Sequence, residues 1–183
     1  MRVLLTILLC ALLPLTAQSA TDITAHERLC RAETHGAIGR WTPFHDRLLH
    51  MYAEEFLRHT EIRGATVVFC VSESPGATAW GMLLNTGSGQ TFLVGVGRRF
   101  IRAMGTEMRP VIAHEVAHLT VDIRASEHAV DTIGVRWVGK SATISSLKET
   151  IRFLEYESAH QLITFGGVGD LKKRLVLLEG VSE

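Results

Sequence analysis

The five residues His114-Glu115-Val116-Ala117-His118 constrain this chain more than any other stretch. Two histidines four positions apart lie one turn apart on the same face of an α-helix, so the pattern asks for a helix here. Both imidazoles can then reach one tetrahedral ion such as Zn2+. Glu115 sits about 100° further round the helix, where its carboxylate addresses a water beside the metal instead of the metal itself. Val111, Ile112, Val116, Ala117 and Leu119 surround the pattern with apolar side chains, as a buried metal-bearing helix requires.

A catalytic zinc takes three protein ligands and keeps one position open. The best third ligand in the sequence is Glu127, which begins Glu127-His128-Ala129-Val130-Asp131. Asp131 lies one helical turn on, where its carboxylate can accept the free N–H of a metal-bound histidine and fix its tautomer. His128 is the rival ligand, but it points about 100° away from the Glu127 and Asp131 face. Asp122 would put three ligands on one straight helix, spread over about 11 Å, too far for a single ion. The longer histidine pattern of the metzincins is absent, because Val121 and Arg124 stand where its glycine and third histidine belong.

H-E-x-x-H followed by a helix with E-x-x-x-D resembles the gluzincin peptidases of the HtpX and CAAX prenyl endopeptidase family. The resemblance implies Glu127 as third zinc ligand, and a β-hairpin and short helix ahead of the metal helix, matching Thr78 to Val96 and Arg98 to Met104. Asp170-Leu171-Lys172-Lys173-Arg174-Leu175 is similar to the closing helix of that family. Eight residues separate His118 from Glu127, far fewer than in the membrane-embedded members, so the resemblance implies a minimal, soluble relative.

Around these motifs the pattern reads as an α+β chain, mostly helical and zincin-like, with a small antiparallel β-meander before the metal helix. Asp22 to His59 is helical with a break at Gly36 to Gly39, and Thr42-Pro43 reads as the capped start of its second half. Thr66 to Val71, Thr78 to Leu84 and Thr91 to Val96 read as strands separated by turn residues. Helices are expected over about 107–121, 125–138, 143–164 and 170–178, ended by Gly139, Gly166-Gly167 and Gly180.

The first residues combine Met1-Arg2 with an apolar run from Val3 to Leu15, too short to span a bilayer but suited to a secretory signal. Residues 1–19 are expected to be that signal, cut after Ser19 with Ala20 as the second choice, and 20–183 a single domain, secreted or periplasmic, without a stable membrane span. Cys30 and Cys70 then remain, open to two readings: one disulfide or two buried thiols. Nineteen basic and nineteen acidic residues cancel, and no long block of one sign exists, which argues against nucleic acid as a partner. The run Arg98, Arg99, Arg102 reads as a solvated face.

The sequence thus leads to the expectation of an exported zinc-dependent endopeptidase acting on protein or peptide substrates. His114, His118 and Glu127 would hold Zn2+, and Glu115 would serve as general base and then as proton donor to the leaving amine. His160 is the first candidate for oxyanion donor, with Tyr156 one turn away and Arg152 as the other choices. The strand Thr91 to Val96 would offer its edge to an extended peptide. The alternative is an exported metal-binding or protein-interaction module that keeps the motif without catalysis.

Overall fold

A computed structural model describes residues 25–31, 41–87, 89–122, 124–161 and 167–180. The expected signal over 1–19 lies outside these residues. No described helix is long and apolar enough to cross a membrane. The chain is a mixed α+β structure, with one four-stranded sheet and a larger helical layer.

Its elements are α1 (25–31), β1 (Trp41–Phe44), α2 (Arg47–Leu57), β2 (Thr66–Ser72), β3 (Ala79–Thr86) and β4 (Gly89–Gly97). Then follow α3 (Arg98–Met104), α4 (Met108–Ala117), α5 (Glu127–Val138), α6 (Lys140–Gln161) and α7 (Val168–Gly180). Two 3-10 turns flank α4, Gly105–Glu107 before it and His118–Thr120 after it.

The sheet corrects the expected antiparallel meander. Its order is β1-β2-β4-β3, with β2 parallel to β4 and the other two pairings antiparallel. The burial pattern supplies the reason. Thr91 through Gly97 are all buried, so β4 must have neighbours on both edges and cover on both faces, whereas β3 is only half-buried and takes the rim. The strand at Trp41–Phe44 replaces the helix start expected at Thr42-Pro43. Proline is tolerated there because, among the described residues, β1 is an edge strand paired with β2 alone. The helix begins at Arg47 instead, capped by Asp46, whose carboxylate accepts from the amides of Leu48 and Leu49 at 2.9 and 3.1 Å.

Alternation along the strands sorts their side chains between two cores. Phe69, Phe92, Val94 and Val96 face the helices and join Ile112, Ala113 and Val116 of α4. Val68, Cys70 and Leu93 face the other way and cluster with Cys30 and Trp41. On that far face Trp80 packs edge-on to Trp41, ring centroids 5.5 Å apart. Gly95 makes room for it, since a Cβ there would lie 2.1 Å from the Trp80 ring. Cys30 and Cys70 form a disulfide, which closes the far face by tying α1 to β2.

On the near face, α2 buries Leu49, Ala53, Phe56 and Leu57, the i, i+4, i+7, i+8 stripe of a helix packed on one side. Arg109 of α4 pairs with Glu55 of α2 at 2.6 Å and lies over the Phe56 ring. Glu157 of α6, 2 % exposed, is neutralised by Arg99 of α3 at 2.8 Å. Between α5 and α6 stands a single residue, Gly139, at φ 90° and ψ 151°, a conformation that favours glycine.

Candidate metal centre

Apart from Arg109, which turns to Glu55 of α2, helix α4 is apolar except for one stripe. Ile112, Ala113, Val116 and Ala117 are fully buried, and the stripe carrying His114, Glu115 and His118 faces a cleft of about 790 Å3. The α-helix stops at Ala117, sooner than expected, and His118 begins the 3-10 turn. Asp122 is exposed and accepts from the Arg124 amide at 2.8 Å, turning the chain. Ser126 then caps α5, its hydroxyl accepting from the Ala129 amide at 3.3 Å. The short connection therefore folds back on itself and starts α5 at Glu127, opposite α4.

The reversal brings His114, His118 and Glu127 together. One ligand atom from each lies within 4.8 Å of the others. Glu127 Oε2 is 3.1 Å from His114 Nε2 and 3.7 Å from His118 Nε2. Ligands of a tetrahedral zinc stand about 3.3 Å apart, given bonds of about 2.0 to 2.1 Å, so both separations from Glu127 lie near what such an ion needs, and the two rings stand within 4.8 Å of each other. The donor chemistry fits as well. Two imidazole nitrogens and one carboxylate oxygen are the kinds of donor that zinc takes.

The other ring nitrogen of His114 is fixed from behind. Asp131 Oδ1 accepts from His114 Nδ1 at 2.9 Å, which leaves Nε2 directed at Glu127 and the cleft. Asp131 is 1 % exposed and is itself held by Arg174, from Nε to Oδ2 at 2.7 Å and from Nη2 to Oδ1 at 2.6 Å. Arg174 Nη1 also lies 3.3 Å from Glu127 Oε2. One guanidinium from α7 thus aligns two carboxylates one turn apart on α5, as its planar fork allows.

These contacts set the protonation states. Burial pulls the His114 pKa down, but its hydrogen bonds to Asp131 and Glu127, aided by the Glu115 charge, lift it to about 9. Burial works against the Asp131 carboxylate too, and the bonds from His114 and Arg174 override it, bringing its pKa to about 2. Glu127 is held below the usual carboxylate range, first by its hydrogen bond to His114. Burial and the neighbouring His114 charge lower His118. Burial raises Glu115, which makes it a stronger base than an exposed glutamate.

Glu115 meets the sheet at β3. Its carboxylate accepts from the Gly81 amide, and a Cβ at Gly81 would sit 3.2 Å from the Glu115 Cβ and 3.0 Å from the Phe92 ring. Glycine is what lets strand and helix approach so closely. Because the Gly97 amide donates to the Thr78 carbonyl at 2.7 Å, the even-numbered residues of β3 bond to β4. Ala79, Gly81, Leu83 and Asn85 turn their amides and carbonyls to the other edge, which no strand among the described residues covers. The strand Thr91 to Val96, expected to present such an edge, is instead flanked by β2 and β3.

The structure does not bring His160 to this cluster. Its ring is exposed on α6, stacks on Tyr156 at 3.9 Å and lies 2.8 Å from the Tyr156 carbonyl through Nδ1, away from the residues lining the cleft. His128 is not part of that grouping, and its buried Nδ1 has no hydrogen-bond partner among the described residues. Arg174, in the stretch that resembles a closing helix, joins this cluster without having been assigned to it from the sequence. Two carboxylates sharing one buried face need a cation, and that was the available signal. No family model, curated protein or solved structure matches this chain.

Proposed function

We propose that this protein is an exported zinc-dependent endopeptidase, a small zincin-like domain of the gluzincin kind. The convergence of His114 Nε2, His118 Nε2 and Glu127 Oε2 on one point, with the buried Glu115 beside it, carries the reading. Zinc held by these three side chains would supply Lewis acidity toward a carbonyl and lower the pKa of water.

The chain's own residues would do the rest. Glu115 takes a proton from the attacking water and hands it to the leaving amine, helped by the basicity that burial gives it. Gly81 holds that carboxylate through its amide. Asp131 keeps the His114 tautomer, and Arg174 keeps Asp131 ionised. An extended peptide would add to the open edge of β3, meeting the amides and carbonyls of Ala79 and Leu83 on either side of Gly81, so that backbone recognition presents its carbonyl to the cleft.

Metal analysis of purified protein together with casein cleavage, with and without a chelator, tests this. One zinc per chain and chelator-sensitive cleavage are expected. Glu115→Gln should keep the zinc and lose at least about 100-fold in turnover. Zinc-loaded wild-type protein that cleaves no peptide would leave the alternative, a metal-binding module without catalysis.

A further inference from the structure

A second pair of facing imidazoles lies outside the cleft. His45 and His50 have ring centroids 4.8 Å apart, close to the 4.9 Å that separates His114 from His118. Neither His45 nor His50 lines the cleft. The two stand five positions apart, so they escape the one-turn spacing by which paired ligands on a helix are read. They meet because His45 comes just before the helix. Asp46 fixes the chain between them, its carboxylate accepting from the amides of Leu48 and Leu49.

His50 is already set as a ligand. Its Nδ1 lies 2.7 Å from the Asp46 carbonyl, which can only accept, so Nδ1 carries the proton and the neutral ring keeps its lone pair on Nε2. Metal-bound histidines are oriented in this way, as Asp131 orients His114. The ring also rests on Phe69 of the core, centroids 4.8 Å apart, so contacts on two sides fix its plane. His45 is exposed and opens the pair to solvent.

A helix start favours negative charge over positive, and the Asp46 carboxylate offsets that cost for a cation held here. No third histidine or carboxylate of the described residues joins the pair, so water fills the remaining positions. Two imidazoles and water suit a late first-row divalent ion. An open site imposes no geometry against copper, which then binds more tightly than zinc. We infer that His45 and His50 form a second metal site, on the surface and separate from the cleft cluster, for a divalent transition-metal ion, Cu2+ above all. Filling it ties the end of β1 to α2.

Metal-free protein titrated with Cu2+ tests this, with binding read by calorimetry and the ligands by nitrogen splitting in the EPR spectrum. A site with two imidazole nitrogens should appear and should survive His118→Ala, a change confined to the cleft. In that background His45→Ala should weaken it at least about 10-fold, because a second imidazole on the same frame acts at a high local concentration. His50→Phe, which keeps a ring on Phe69 without its nitrogens, should do the same. Saturating Cu2+ should raise the Tm of the His118→Ala protein and lose that effect when His45 is also replaced. Because His45 is exposed, its replacement leaves the core untouched. A two-nitrogen site that persists in the His45→Ala protein, or that disappears with His118→Ala alone, overturns the proposal. Failure of the cleft to take up zinc would overturn the peptidase reading and leave this site standing.

Discussion

The two faces of the sheet are closed by opposite means. On the far face, Trp41, Trp80 and Leu93 pack around a covalent link between Cys30 and Cys70, with no ionised group in the cluster. On the near face, apolar packing ends at the cleft stripe of α4, where His114, Glu115, Glu127, Asp131 and Arg174 hold one another by charge. The first arrangement tolerates a change of pH or the loss of a single polar contact. The second depends on every member, because removing one partner strands another in a poorly hydrated place.

The contrast is broken most severely by Arg174→Met. Asp131, almost fully buried, would lose both bonds to the guanidinium, and the protein should lose up to about 5 kcal/mol in urea unfolding. Zinc affinity should fall by about 10- to 100-fold, as for other groups that orient a metal-bound histidine. Unchanged affinity would show that Arg174 has no part in aligning the ligands.

The complementary change is Cys30→Ser with Cys70→Ser. Releasing a cross-link over 40 residues should cost about 4 kcal/mol, read as a lower Tm, while zinc affinity stays at its wild-type value. A loss of metal would mean that the two faces are not independent.

A third measurement uses pH. His114 has its folded-state pKa raised from 6.5 to about 9, so its contribution in metal-free protein is fully present below 6.5 and is lost as pH rises through about 9. Unfolding of chelated protein between pH 6 and pH 10 should lose about 3 kcal/mol. Zinc must displace that proton, so adding metal at pH 7 should release it, detectable in a weakly buffered solution. A flat stability profile would contradict the bridging of His114 between two carboxylates.

The smallest effect is expected for Gly81→Ala. The added methyl presses on the Phe92 ring and the Glu115 Cβ, which should cost about 1 kcal/mol of stability and lower casein turnover with zinc retained. Equal loss of zinc and activity would mean that the strand shift reaches the ligands.

The grouping of His114, His118 and Glu127 was legible in the sequence because its code is local. Spacing of i, i+4 on one helix and E-x-x-x-D on the next needs only helical geometry and a turn between them, and Ser126 supplied the cap. Sheet order was not legible. The alternation in Thr66–Ser72 and Gly89–Gly97 says which face is buried, not which strand lies alongside, and the parallel pairing across β4 is a long-range choice. Thr42-Pro43 misled because proline suits both the first turn of a helix and an edge strand. Arg174 was one of nineteen basic residues, and its partner Asp131 lies 43 positions away. His160 has the right chemistry for an oxyanion donor, but helical phase turns it outward beside Tyr156.

Gly139 has a mechanical consequence. With nothing else between them, α5 and α6 meet at a one-residue corner, one arm beginning at Glu127 and the other lining the cleft with Leu147 and Leu154. So short a joint leaves no slack in the chain, and where one helix ends fixes where the other begins.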